Sequence, residues 1–219
     1  MKYILVFIFF LLNFSTFSQN IKIPKGYKEL KRVEGDLNKD GNKELVIAYD
    51  TGVEGDFGTE REICVYKKSG DKWNLWHKVS GIILPSQHGG IMGDPFMDIY
   101  IKNGCIVVQN SGGSADKWDY VHTYRYQNNN WYLIGATINY YRYPSFFEEY
   151  DYNVSTGKIN VSIKKIKSED YWNNLEEEEY EYLEENYTYK VQPAKKILMN
   201  GFYPGNNFQQ LKNEDSFYY

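Results

Sequence analysis

The 219-residue chain carries 25 Lys and Arg against 29 Asp and Glu, a formal net charge of −4. That balance lacks the basic stripe a nucleic-acid partner demands and argues against one. Aromatic residues make up 18% of the chain and 22 residues are Tyr, a composition that suits pleated, half-buried surfaces and predicts a mainly β fold.

Residues Met1 to Ser18 hold one early Lys2, the apolar run Tyr3 to Leu12 and small residues Thr16 and Ser18 before Gln19. A charged start, a short apolar stretch and a small-residue exit read as a secretory signal peptide over 1–18. The run falls short of the roughly 20 apolar residues a membrane span needs. The expected mature chain is exported, periplasmic or extracellular, with no membrane span. About 200 residues then remain, read as one β-rich domain over 19–200 and a Gly-, Pro- and Asn-containing tail over 201–219, expected to be poorly ordered.

In chain order, Ile21 to Gly35 reads as extended and leads into GDLNKDGNKEL, from Gly35 to Leu45. Lys43 to Tyr49, whose run Leu45 to Tyr49 is apolar, β-branched and closed by an aromatic, predicts a buried strand. Asp50 to Glu60, DTGVEGDFGTE, reads as a mobile acidic loop, usually just solvated, with Asp50, Glu54 and Asp56 available to a cation. Hairpins follow. Arg61 to Lys67 and Lys72 to Val79 flank Ser69-Gly70-Asp71, and Met97 to Lys102 and Cys105 to Gln109 flank Asn103-Gly104, the strongest short hairpin signal. Lys117 to Tyr126 pairs with Trp131 to Tyr141 across Asn128-Asn129-Asn130, and Glu149 to Val154 with Lys158 to Ile166 across Ser155-Thr156-Gly157. This predicts an antiparallel hairpin meander, either a sandwich or a propeller-like sheet. No repeat period recurs, so a closed propeller is excluded.

From Ser168 to Glu185 the chain becomes SEDYWNNLEEEEYEYLEE. Ser168 can cap a helix whose first turn is acidic, so a short acidic helix is predicted near 168–185, with a strand holding Tyr180 and Tyr182 as the rival. Strands resume over Tyr187 to Val191 and Lys196 to Met199. Cys64 and Cys105, both in predicted strands, form either a disulfide or two buried thiols.

The chemistry concentrates in the Gly35–Leu45 segment. Asp36, Asn38, Asp40 and Glu44 stand at positions 1, 3, 5 and 9 of a loop, with Gly41 at position 6 and the Asn42 carbonyl at position 7. A hard cation such as Ca²⁺ takes six to eight oxygens at roughly 2.3–2.6 Å, and alternate side chains on a tight turn supply them. The twelfth position, where an EF-hand places its bidentate Glu, is Ile47. The rival is a solvated Asp/Asn/Gly turn, since those residues favour turns without metal. The D-x-N-x-D-G-x-x-E pattern resembles the calcium loops of FG-GAP and VCBS-type repeats, as in integrin α-chain propeller blades. The resemblance covers about 20 residues, occurs once, and has Glu44 where that family more often has Asp. It implies a structural Ca²⁺ held by the side chains of Asp36, Asn38, Asp40 and Glu44 and the main chain of Asn42.

Two glycine-rich segments, QHGGIMGDPF (Gln87 to Phe96) and SGGSADKWDY (Ser111 to Tyr120), interrupt the hairpins. With the stretch Trp131 to Gly135 they resemble segments of secreted bacterial proteins that carry one GDLNKDG loop near the start, a group with no agreed activity to carry over. His88, Asp94, Asp116, Trp118 and Tyr120 are the candidate binding surface there, against the plainer reading of ordinary loop residues. The sequence has no G-x-S-x-G, H-E-x-x-H, C-x-x-C or phosphate-binding glycine loop. The expectation is therefore an exported, non-enzymatic calcium-binding β protein that binds a protein or glycan. Its rivals are a secreted hydrolase built on scattered carboxylates and a periplasmic immunity or inhibitor protein using the Glu176–Glu185 run.

Overall fold

A computed structural model of the protein describes residues 21–167, 180–211 and 216–219. It is an all-β, sandwich-like meander, and no helix occurs among the described residues. The first sheet runs β1 (Lys28–Gly35), β2 (Glu44–Gly55), β3 (Gly58–Ser69), β4 (Lys72–Ser80), each antiparallel to the next. The second holds β5 (Phe96–Lys102), β6 (Cys105–Gly113), β7 (Lys117–Gln127), β8 (Asn130–Arg142), β9 (Phe146–Asn153), β10 (Lys158–Ile166) and β11 (Tyr182–Lys190), again in sequential order. A short hairpin, β12 (Phe208–Gln210) and β13 (Ser216–Tyr218), follows.

Turn chemistry sets the register. Asn103 and Gly104 both take positive φ, at 53° and 72°, and so do Asn128 and Asn129, at 50° and 59°. Two consecutive residues of that hand match the twist of the flanking strands and close two-residue hairpins. Period-2 alternation then sends Ile106 and Val108 of β6, and Val46 and Ala48 of β2, into one core shared by both sheets. Leu45, Ile47 and Tyr49 point the other way and form a smaller cluster with Cys64 and Tyr66, covered by Ile21 and Tyr27. A face covered on both sides explains why β2 reads as a continuous apolar run. The β4–β5 connection crosses the core with Ile82, Ile83 and Leu84 fully buried. The buried Asn110 side chain serves its backbone, accepting from Leu84 N at 3.0 Å and donating to Ile82 O at 3.3 Å.

Three segments differ from the sequence reading. The acidic stretch after Asp50 is largely strand: β2 continues to Gly55 and β3 starts at Gly58, with a register shift between Asp50 and Glu54. Tyr182 to Glu185 belong to β11, paired with β10, and are not helical. Leu183 falls opposite Lys165 and Tyr182 opposite Ile166 there, so cross-strand pairing overrides the helix propensity of Glu and Leu. Tyr180 and Glu181 precede the strand and are not helical either, and 168–179 of that predicted helix lies outside the described residues.

The tail is the third. The seven-stranded sheet is wider than its four-stranded partner, and C-terminal residues cover the remainder. Phe217 stacks on Tyr150 of β9 at 4.8 Å and 17°, and Phe202, Leu211 and Tyr219 are buried. Asn207 and Tyr219 exchange backbone hydrogen bonds at 3.2 and 2.8 Å. Phe202, Leu211, Phe217 and Tyr219 are therefore part of the core while Phe208 and Tyr218 stay about half exposed, because aromatic burial outweighs the entropy that Gly, Pro and Asn composition suggests.

Candidate functional site

The Asp36–Glu44 loop joins β1 to β2 where the two sheets meet. Gly35 packs against Ile101 of β5 so closely that a Cβ would lie 2.7 Å from Ile101 Cγ2, and Gly104 of the β5–β6 turn sits against the Asp36 carbonyl. Leu37 is buried in the main core, worth about 2 kcal/mol for a Leu side chain. The backbone reverses through Lys39 and Gly41, with φ of 63° and 86°.

Within the loop, Asp36 Oδ2 accepts from Gly41 N at 3.0 Å, Asn38 Oδ1 from Asp40 N at 2.9 Å and Asp40 Oδ1 from Asn42 N at 2.8 Å. Asn38 Nδ2 donates to Asp40 Oδ2 at 2.8 Å. Glu44 is 2% exposed and its Oε2 accepts from Leu37 N at 2.7 Å. Burial pushes the Glu44 carboxyl above its ordinary range; the Leu37 N–H works against this, and the charge of Asp40 adds to it. The backbone N–H of Asn42 and the Asn38 amide hold Asp40 below its ordinary range. Asp36 Oδ1 is buried with no hydrogen-bond partner. No group of three or more His, Cys, Asp or Glu side chains is gathered to hold a metal among the described residues. The residues fit a hard cation in donor type and in the orphaned Asp36 oxygen, while Asn38 and Asp40 bond to each other.

The two glycine-rich segments come together. Gly113 N donates to Gly89 O at 2.9 Å, Ser111 N to Pro95 O at 2.9 Å, and Gly90 bridges Gly113 in parallel. A Cβ on Gly112 would lie 2.3 Å from the Trp118 ring and 2.8 Å from Gly89 Cα, so only glycine lets the indole and the His88–Gly89 backbone share that space. Trp118 stacks on Tyr120 at 4.8 Å, and the row continues along β7 through His122 to Tyr124, both fully buried. Trp118 and Tyr120 are thus the outer end of an aromatic row that runs into the core. Burial raises the Tyr120 hydroxyl well above its usual range.

His88 lies 3.2 Å from the Tyr203 hydroxyl through Nδ1 and packs on Phe57 at 4.6 Å. Burial lowers its pKa. Asp94 accepts from Arg61 Nη2 at 2.6 Å, and Asp116 from Arg142. Both carboxylates are thus paired with arginines while remaining about half exposed or more. Asp50 is committed likewise: Arg61 Nη1 lies 3.2 Å away, and Gly52 N and Thr59 Oγ1 each donate at 2.8 Å. Burial works to raise the Asp50 pKa, but the Gly52 and Thr59 donors and the charge of Arg61 bring it below the ordinary value. Cys64 and Cys105 are buried free thiols on β3 and β6, one in each sheet, and burial pushes Cys64 up to about 11.

Sequence reasoning missed four residues here. Arg61, 2% exposed, is the cation that ties Asp50 to Asp94. Ile91, 88% exposed, and Met92 are apolar residues exposed in the glycine-rich segment itself, and Phe57 packs on His88 of that segment. Two large apolar residues set between glycines, GGIMG, were the available signal. Next to this surface a recess of about 270 Å³ is lined by Met97, Gln109, Ser111, Asp119, Tyr120 and Asn139. The Asn139 side-chain oxygen is buried with no protein partner. No family model and no curated protein matches the chain.

Proposed function

We propose that this is an exported, non-enzymatic β protein whose Asp36–Glu44 loop holds a structural Ca²⁺ and whose glycine-rich end binds a protein or glycan. The observation that carries the reading is the divided role of Asp36: Oδ2 is committed to Gly41 N and Oδ1 is buried without a donor. A cation supplies the charge that an orphaned carboxylate oxygen lacks. Asp36, Asn38, Asp40 and Glu44 are the side-chain donors and Asn42 the main-chain donor. Binding exchanges the Asn38–Asp40 side-chain bond for metal ligation. The cation acts as a staple where the first sheet meets the β5–β6 hairpin. Export is supported by the order of features over 1–18, and the binding surface by the exposed Ile91 and Met92, by Phe57 packed on His88 and by the stacked Trp118–Tyr120 pair.

Thermal unfolding in EDTA and in millimolar Ca²⁺ tests the loop. At a free Ca²⁺ ten-fold above Kd, linkage stabilises by about 1.4 kcal/mol, a shift of roughly 3–6 °C. Asp36→Ala/Asp40→Ala should abolish the shift, and Mg²⁺ should not reproduce it. An unchanged melting temperature in Ca²⁺ would reduce the loop to a turn.

A further inference from the structure

The seven-stranded sheet ends on β11, whose outer edge is free among the described residues. Two backbone bonds fix which groups point outward. Lys167 N donates to Glu181 O at 3.0 Å beyond one end of the β10–β11 ladder, and Val191 N donates to Gly157 O at 2.9 Å beyond the other. The register between them is unbroken. Bonded pairs in an antiparallel ladder recur every second residue, so the odd-numbered residues of β11 bond to β10. Tyr182, Glu184, Asn186, Thr188 and Lys190 therefore direct their N–H and C=O groups away from the sheet, a row open to strand addition.

The charges along this row are specific. In the ladder Glu184 stands opposite Lys164, with the charged atoms 3.4 Å apart. Lys190 stands opposite Lys158, a like-charge pair that is unfavourable across strands. Lys190 Nζ donates to the Thr156 carbonyl and has no ion-paired acid among the described residues, and Glu184, already beside Lys164, offers one on its outer side.

We propose that β11 is a homodimerisation edge, in which two copies pair antiparallel about a twofold axis with Glu184 opposite the partner's Lys190. Outward-facing residues then meet outward-facing residues, as ladder bonding requires, and Asn186 stands opposite the partner's Thr188. Each Lys190 gains the countercharge missing beside Lys158. On the other face of the strand Tyr187 meets its own copy at the axis and Leu183 meets the partner's Val191. Leu183 and Tyr187 are 53% and 42% exposed in the monomer, and both become covered. The neighbouring registers lack this match. A shift of two residues one way places Asn186 opposite itself and leaves Lys190 facing Tyr182; a further shift places Glu185 opposite Glu185. The occupant selected by the charge pattern is a second copy of this chain, extending the sheet across the interface.

Sedimentation equilibrium of the purified protein at 100 μM, in EDTA to separate this from the calcium loop, is the test. The expected species is a dimer. Glu184→Lys and Lys190→Glu should each raise the dimer dissociation constant at least ten-fold, and the double exchange should restore it. Asn186→Pro removes an outward N–H that the monomer does not use, so it should retain the native circular dichroism and sediment as a monomer. A native protein that is monomeric at 100 μM overturns the proposal. So does a dimer that survives Asn186→Pro or ignores the charge exchanges.

Discussion

Gly41 N donates to Asp36 Oδ2 across a single reversal of the chain, at 3.0 Å. The bond exists because Gly41 holds φ at +86°, with nothing within 4 Å of the place a Cβ would occupy. Gly41→Ala should therefore cost backbone strain alone, about 1–2 kcal/mol, and Gly41→Asn less, because Asn tolerates the left-handed region. Urea unfolding in EDTA checks both, without reference to any cation.

Glu44 carries an opposite liability. Burial raises its carboxyl pKa above 4.5, so the folded state binds its proton more tightly than the unfolded chain does. Its contribution is fully present below pH 4.5 and is lost as pH rises through the folded pKa. In EDTA, the stability of the native protein relative to Glu44→Gln should fall over that window and then level off. In Ca²⁺ the order should reverse at neutral pH, since only the carboxylate brings charge to the cation. Paired denaturation curves from pH 4 to 8 measure it.

Gly112 and Gly135 separate packing from conformation, because neither requires a positive φ. A Cβ at Gly112 meets the Trp118 ring at 2.3 Å and Gly89 Cα at 2.8 Å, whereas at Gly135 the nearest atom lies at 3.8 Å. Gly112→Ala should cost about 1–3 kcal/mol by overpacking and change the tryptophan emission. Gly135→Ala should be neutral or stabilise by about 0.5 kcal/mol.

Much of the strand framework was legible because its cues are local. Asn103-Gly104 and Asn128-Asn129 announce their turns, and Ile159, Val161 and Ile163 show their period in the sequence. The loop at Asp36 was legible as a donor pattern for the same reason. What was hidden depends on distant partners. Leu183 becomes strand only because β10 offers an edge, and Phe217 becomes core only because Tyr150, far behind in the chain, lacks cover from the smaller sheet. The Arg61–Asp94 pair spans 33 residues and a connection of no regular structure, so no spacing rule joins them.

That pair gives a graded test. Arg61 is buried between Asp50 and Asp94, but Asp94 is about half exposed. Arg61→Ala leaves Asp50 without its cation and should destabilise by about 3 kcal/mol. Asp94→Asn removes a solvent-screened partner and keeps an acceptor, so about 0–1 kcal/mol is expected. Chemical denaturation of the two variants side by side shows whether Arg61 fastens this end mainly through Asp50.

His122 sets the acid limit of the fold. It is fully buried on β7, with Phe202 at 4.8 Å and Tyr120 and Tyr124 on either side, and neither ring nitrogen has a protein partner. Burial lowers its pKa to about 3 from an ordinary 6.5. The unfolded chain therefore takes up a proton below pH 6.5 that the native protein refuses. The stability tied to the neutral ring is complete above 6.5 and is lost as pH falls toward 3, by about 1.4 kcal/mol per pH unit once well below 6.5. His122→Leu fills a similar volume with no titrating group. Its stability should decline less between pH 6.5 and 5 than that of the native protein. At neutral pH it should gain from the loss of two buried unpartnered nitrogens, worth about 1–3 kcal/mol, offset by weaker aromatic contact. Urea denaturation at pH 7 and pH 5 reads both effects. Equal pH slopes for the two proteins would mean that His122 already holds a proton in the folded state.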